Sequence, residues 1–155
     1  YPVTYFFTSE GYFKKITPQS WRMSSEHKLK DGDIVVQTIE STNRAHLLFF
    51  SDKGQVYKAQ GSNFDDTKAS VLGDYIPARL GFDEGESALY MAVTTDYSGF
   101  MLFAFANGKL AKVEMASYAT KTRRKKLTGA YFIKEPLAEM LYLATDAMVL
   151  IRTNS

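Results

Sequence analysis

The sequence predicts an all-β fold of the β-propeller type, with about three blades of four strands in a single domain spanning 1–155. Tyr and Phe, which favour strands, occur 10 and 11 times. Apolar runs alternate with polar turns, and their period of two indicates strands. A hairpin pattern recurs around Gly11, Gly54 and Gly108, at spacings of 43 and 54 residues. A period near this length with four strands is typical of a propeller blade.

Each copy of the repeat follows the same order. An apolar run leads into a polar turn that ends in glycine, because a tight hairpin turn requires a positive φ. The residue two positions after the glycine is apolar and the residue four positions after it is lysine. A period of two places both on one face of the strand. These positions are Phe13, Val56 and Leu110, and Lys15, Lys58 and Lys112.

Further strands are predicted between the hairpins, and a fourth copy of the repeat starts near Met148. Helices are expected only in two short segments. An alternative is a β-sandwich with accidental similarity between its hairpins, but three matched glycines and lysines favour a true repeat. The predicted strands are Asp33–Glu40, Leu89–Thr95 and Leu137–Ala144, with Ala69–Leu72 in a connection, and the predicted helices are Pro18–Met23 and Pro136–Met140.

The net charge of +2 is unevenly distributed. Residues 109–129 hold seven basic residues and one acidic residue, and residues 10–30 hold five and two. Residues 31–99 hold five basic and eleven acidic residues. Two basic zones flanking an acidic middle favour a polyanion partner on one side of the molecule.

Several classes of function are disfavoured by composition. The absence of cysteine excludes disulfide scaffolds and thiolate metal sites and fits a cytosolic protein. No apolar run has the roughly 18 residues of a membrane span. The first residues have no basic segment of a signal peptide. They also have no initiator Met, so the chain is expected to be a piece of a larger protein. His27 and His46 stand apart from any carboxylate cluster, so no catalytic residue, metal site or cofactor is predicted.

The repeat resembles the blade motif of the C-terminal domain of DNA gyrase and topoisomerase IV A subunits. The resemblance rests on three segments and extends over most of the chain. The third segment ends in a basic run. The segments are Tyr12-Phe13-Lys14-Lys15-Ile16-Thr17, Gly54-Gln55-Val56-Tyr57-Lys58, and Lys112-Val113-Glu114 with the following 117–127.

The resemblance implies a β-pinwheel, a propeller variant whose blades exchange strands. It further implies a non-catalytic domain of a bacterial type II topoisomerase that binds and bends duplex DNA for strand passage. The implied partners are double-stranded DNA, the ATPase B subunit, which is a separate chain, and the rest of the A subunit, in the cytoplasm. The glycine-rich box Gln-Arg-Arg-Gly-Gly-x-Gly of gyrases is absent, which favours a topoisomerase IV-like domain and leaves the distinction from gyrase open.

Three groups of cations are expected to contact DNA phosphates. Each group has an alternative interpretation as a solvated charge run or, for the blade-end lysines, as partners of acids on the neighbouring blade. A protein-interaction propeller is the alternative function. The three groups, in order of preference, are Lys121, Arg123, Arg124, Lys125 and Lys126; then Arg22, Lys28 and Lys30; then Lys15, Lys58 and Lys112.

Overall fold

The computed structural model describes residues 1–120 and 126–144, which form strands with short helical turns. The predicted fourth repeat near Met148 lies outside the described residues. In chain order the elements are β1 (Pro2–Thr8), β2 (Tyr12–Ile16), α1 (Pro18–Met23), β3 (Val35–Thr42), β4 (His46–Ser51), β5 (Val56–Gln60), β6 (Asp74–Tyr75), α2 (Ile76–Arg79), β7 (Ala88–Thr94), β8 (Phe100–Phe105), β9 (Leu110–Glu114), β10 (Lys126–Leu127) and β11 (Leu137–Leu143).

The strands form three antiparallel sheets, which we number as blades 1 to 3. Their strand orders are β3-β1-β2-β6, β7-β4-β5-β10 and β11-β8-β9. Each blade is built on one of the predicted hairpins, and a longer strand later in the chain, β3, β7 or β11, pairs with the first strand of that hairpin. The all-β prediction with three blades is confirmed, and two of the blades have four strands.

Neighbouring blades exchange short strands. β6 follows the hairpin of blade 2 along the chain but pairs with β2 of blade 1, through Tyr12 opposite Tyr75 and Phe13 opposite Asp74. β10 follows the hairpin of blade 3 and pairs with β5 of blade 2. This exchange is the strand arrangement that the resemblance to a β-pinwheel implies.

The three predicted turns have one geometry. The N–H of each turn glycine donates to the carbonyl three residues earlier, at 3.1, 3.3 and 3.0 Å for Gly11, Gly54 and Gly108. Their φ angles are +95°, +71° and +86°. Positive φ is disfavoured for residues with a Cβ, so the glycines are required by the backbone.

The core lies between the blades. Successive residues of a strand point to opposite faces, so Leu47 and Phe49 pack towards blade 1 while Leu48 and Phe50 pack towards blade 3. All four side chains are fully buried. The continuous apolar run of β4 is therefore that of a strand covered on both faces.

Helix α1 has the predicted bounds, with the Thr17 hydroxyl accepting from the Ser20 N–H at its N-terminus. The prediction of a helix over Pro136–Met140 is wrong, because Leu137–Leu143 pairs with β8 as a strand. The prediction of a strand over Ala69–Leu72 is also wrong, since the paired residues there are Asp74–Tyr75. No helix in the described part of the chain is long and apolar enough to cross a membrane.

Candidate nucleic-acid interface

The predicted site residues occupy equivalent places in the repeat. After the second hairpin strand of each blade the chain makes a helical turn: α1 in blade 1, Gly61–Asn63 in blade 2 and Met115–Tyr118 in blade 3. A connection then leads to the next strand. We call these the blade 1, blade 2 and blade 3 connections, at 24–34, 64–73 and 119–125. Two of the three groups of candidate cations fall in or beside these connections.

Lys15 is buried at the junction of blades 1 and 2, with 2% of its surface exposed. Its ammonium donates to the Gly61 and Phe64 carbonyls and to Asn43 Oδ1, and lies 3.2 Å from Asp66 Oδ1. These oxygens surround the ammonium. Lys15 therefore ties blade 1 to the helical turn of blade 2, as in the alternative interpretation of the blade-end lysines.

Lys58 repeats this contact one blade later. Its Nζ donates to the Tyr118 carbonyl at 3.0 Å and to Thr120 Oγ1 at 2.8 Å. Phe64 and Tyr118 both lie ten residues after their turn glycine, so the two lysines contact equivalent carbonyls. Burial lowers the pKa of Lys58 below its usual value. The repeated lysine is a link between blades in these two copies.

Lys112, the third member of this set, is exposed. Its ammonium lies 3.9 Å from the centroid of the Phe100 ring on the neighbouring strand β8. Such a cation–π contact contributes about 0.5–1 kcal/mol at an exposed site. The same sequence position therefore has a buried environment in blade 1 and a solvated one in blade 3.

Arg22, Lys28 and Lys30 are exposed in blade 1. Arg22 is in the last turn of α1, and the other two lie in the blade 1 connection. Neighbouring side chains hold this part of the chain: the Trp21 ring stacks on Phe6 at 5.0 Å between centroids. The structure brings these three cations together on one segment that is fixed to the blade.

Lys126 is the one described member of the preferred group, since Lys121, Arg123, Arg124 and Lys125 lie outside the described residues. It is exposed at the start of β10, with Nζ 3.2 Å from Asp83 and 5.6 Å from the centroid of the Tyr57 ring. An exposed ion pair of this kind contributes little. Its ammonium can therefore exchange Asp83 for another anion at small cost.

The blade 2 connection begins with acidic residues. It presents the exposed carboxylates Asp65 and Asp66 before its single cation, Lys68. Asp66 accepts a hydrogen bond from the Tyr1 hydroxyl and pairs with Lys15. The blade 1 connection also carries exposed carboxylates, Glu26 and Asp31, beside its cations Lys28 and Lys30, and the basic run 121–125 after blade 3 lies outside the described residues.

Sequence reasoning missed a buried carboxylate in each of the first two blades. Glu86 is 5% exposed and accepts from Ser51 Oγ, the Tyr57 hydroxyl, Gln55 Nε2 and the Asp83 N–H. Asp33 accepts from Ser9 Oγ and from the Glu10 and Ile34 N–H groups. Both stand two residues before the third strand of the blade, a spacing that could have identified them.

These carboxylates are structural. Burial acts to raise the pKa of Glu86, but the hydroxyl and amide donors around it outweigh burial and lower that pKa. The acidic turn at 83–86 is thereby filled by protein donors. Among residues 1–120 and 126–144, no three His, Asp or Glu side chains are arranged to hold a metal ion.

Curated proteins with similar sequences are topoisomerase A subunits. The chain is 28% identical over 120 residues to the DNA gyrase A subunit of Streptomyces coelicolor, covering 72% of this chain and 14% of that protein. It is 26% identical over 153 residues to the DNA topoisomerase 4 A subunit of Staphylococcus aureus, covering 95% and 19%. The chain thus spans less than a fifth of the relatives that it matches. No protein-family model matches it.

Solved structures with a similar fold are C-terminal domains. One is the C-terminal domain of DNA topoisomerase IV, with a TM-score of 0.77 and 24% identity over 92% of this chain and 46% of that one. Another is the ParC C-terminal domain of E. coli, with a TM-score of 0.68 and 14% identity over 93% and 57%. The chain is therefore similar in sequence to the A subunits of gyrase and topoisomerase IV and has the fold of their C-terminal domains.

Proposed function

We propose that this chain is a non-catalytic domain that binds and bends duplex DNA for a type II topoisomerase. The observation that carries the proposal is the exposure of cations in or beside the connections of two blades of a pinwheel fold. Arg22, Lys28 and Lys30 project from a segment fixed to blade 1, and Lys126 lies at the end of the blade 3 connection. The similarity to gyrase and topoisomerase IV A subunits supports the same function.

Binding of this kind would be electrostatic. Lysine and arginine side chains displace counterions from DNA phosphates, and backbone contacts of this type carry no sequence information. The proposed contacts are the exposed cations Arg22, Lys28, Lys30 and Lys126, with Lys121, Arg123, Arg124 and Lys125 retained from the sequence. We leave out Lys15 and Lys58, because protein oxygens already surround or engage their ammonium groups.

Bending follows from having cations on separate blades. A straight duplex would reach the cations of one blade, whereas a duplex bent around the propeller would reach those of several. Smooth bending of a 20–30 base-pair segment by 40–90° costs about 1–6 kcal/mol, which a few phosphate contacts can offset.

The domain would act within a topoisomerase of the bacterial cytoplasm. Its protein partners there would be the rest of its own A subunit and the B subunit.

The test is an end-labelled duplex of about 40 base pairs, long enough for bending at moderate cost, read by anisotropy for binding and by energy transfer between its ends for bending. We expect binding at low salt with increased energy transfer, for unrelated sequences alike. Binding without a change in energy transfer would remove bending from the proposal. An absence of binding at low salt would overturn it and favour the protein-interaction propeller.

A further inference from the structure

Lys14 is one of the largest fully buried side chains, and it is not among the proposed DNA contacts. Only 1% of its surface is exposed. Its Nζ lies 2.8 Å from the Ala69 carbonyl, 3.0 Å from the Lys28 carbonyl and 3.0 Å from His27 Nδ1. Two of these three acceptors belong to the blade 1 connection, and the third belongs to the blade 2 connection.

The three contacts fit one pair of protonation states, a charged Lys14 and a neutral His27. Burial lowers the pKa of Lys14 to about 8, so at neutral pH most molecules carry an ammonium with three protons to donate. An ammonium only donates, so His27 Nδ1 accepts and the imidazole is neutral. Burial, followed by the charge of Lys14, lowers the pKa of His27, which favours this neutral form.

Further contacts of His27 and Lys28 surround this anchor. The Lys28 N–H donates to the Ala69 carbonyl at 2.8 Å, so Lys14 and the backbone of Lys28 share one acceptor. The His27 ring packs edge-on against Phe6 at 4.6 Å and tilted against Trp21 at 5.3 Å. Lys14 therefore fixes the backbone at Lys28, between the exposed cations Arg22 and Lys30.

We propose that Lys14 is a positioning residue, which holds the cations of the blade 1 connection in place for DNA without touching DNA itself. This inference rests on the proposed DNA-binding function. Position 14 is specific to blade 1, because the equivalent residues three positions after the other turn glycines are Tyr57 and Ala111. Sequence alone would have assigned Lys14 to the basic surface, since it stands beside Lys15 in a basic zone.

The test compares Lys14→Met with Lys53→Met, which removes the same charge from an exposed site near a hairpin turn. Each is combined with the triple variant Arg22→Ala, Lys28→Ala, Lys30→Ala. We expect Lys14→Met to reduce the salt slope of DNA binding by as much as the triple variant does, up to about 2.7 at about 0.9 for each phosphate contact. It should have no further effect in the triple background.

The single tryptophan gives a second readout that does not require DNA. Trp21 packs against His27, so Lys14→Met should shift its emission to longer wavelength and increase its quenching by iodide, with the β-sheet circular dichroism retained. His27→Ala, which leaves both carbonyl acceptors of Lys14 in place, should give a smaller effect in the same direction and covers the case in which Lys14→Met does not fold.

The outcomes are separable. If the parent chain does not bind DNA, the proposed function fails, and the tryptophan readout still decides whether Lys14 holds the connection. If Lys14→Met or His27→Ala keeps the parent tryptophan spectrum and salt slope, the positioning role is overturned. If Lys14→Met weakens DNA binding equally with and without the triple variant, its effect is general destabilisation and the role is likewise overturned.

Discussion

The side chain of Gln37 in blade 1 forms hydrogen bonds with the backbone of blade 2. Its amide donates to the Met91 carbonyl at 2.8 Å and accepts from the Met91 N–H at 2.8 Å. Tyr90, at the equivalent position of blade 2, accepts from the Tyr142 N–H of blade 3 at 2.9 Å. Both contacts satisfy the unpaired edge of a neighbouring strand, so they act as links along the array of blades.

We expect Gln37→Ala to lower the free energy of unfolding by about 1–3 kcal/mol, because it leaves two backbone groups of the buried Met91 without partners. Thr38→Ala is the control, since Thr38 is its exposed neighbour on the same strand. Urea unfolding followed by circular dichroism measures both. Equal stability of the two variants would show that the link contributes nothing.

The stability of blade 2 should decrease at acidic pH, because Glu86 then becomes protonated. Its pKa is below the ordinary value of 4.5 in the folded chain, so its stabilisation is complete above that value. The stabilisation is lost as the pH falls through the lower, folded-state pKa. Glu86→Gln should flatten this part of the pH profile of unfolding, whereas the exposed control Glu84→Gln should keep it. A parent profile with no acid loss in this range would contradict the assignment.

The lysines four residues after the turn glycines show which properties of a residue can be predicted from the sequence. Their positions and common face follow from the repeat. Their environments do not, because burial of Lys15 and partial burial of Lys58 arise from carbonyls of the following blade, 46 to 60 residues away. Lys112 has the same local sequence context but remains exposed. Long-range contacts decide the role of each copy.

At the scale of elements, the turn of blade 2 also packs against the segment that follows the exchanged strand β10. A Cβ built on Gly54 would lie 2.3 Å from Ile133 Cγ2 and 3.2 Å from the Tyr131 carbonyl oxygen. The Gly54 carbonyl accepts from the Ala130 N–H at 2.7 Å. A Cβ on Gly108, whose φ is similar, has no heavy atom within 4 Å among the described residues.

We therefore expect Gly54→Ala to destabilise the chain more than Gly108→Ala. Both substitutions incur the cost of a left-handed backbone, about 1–2 kcal/mol, and only Gly54→Ala also displaces the segment after β10. Thermal unfolding of the two variants measures the difference, and proteolysis near 126–133 should increase for Gly54→Ala alone. Equal losses would mean that the exchanged segment is not held at this turn.

Among the elements, the short exchanged strands could not be predicted from the sequence. The hairpins could be predicted because local turn chemistry and alternation specify them. β6 and β10 have two residues each, and their pairing is with a distant blade, so local pattern does not reveal them. The strand predicted over Leu137–Ala144 is confirmed as Leu137–Leu143, whereas the helix predicted over Pro136–Met140 is wrong, because pairing with β8 outweighs the helix propensity of Leu, Ala, Glu and Met.

At the scale of the whole molecule, the three blades of the described residues were predictable from three glycines, while the path of DNA depends on charge. The proposed contacts lie on blade 1 and after blade 3, with Asp65 and Asp66 of the blade 2 connection between them along the chain. Carboxylates repel phosphates, so this part of the surface should interrupt the DNA contact.

Asp65→Lys should therefore strengthen DNA binding and steepen its salt dependence, because it removes a carboxylate and places a cation at the repeat position that Arg22 occupies in blade 1. Glu84→Lys makes the same change of charge near the hairpin turn and should have a smaller effect. Competition binding with one labelled duplex compares the two variants. A larger effect from Glu84→Lys would place the DNA on the other end of the blades.

The most direct test of the DNA-binding account is the salt dependence of the affinity for duplex DNA, measured from about 50 to 200 mM salt. The parent chain is compared with a variant in which Arg22, Lys28, Lys30 and Lys126 are changed to Ala. We predict a linear fall of log K with log salt, and a slope that is shallower in the variant by up to about 3.6, at about 0.9 for each lost contact. Identical slopes, or an affinity independent of salt, would contradict the account.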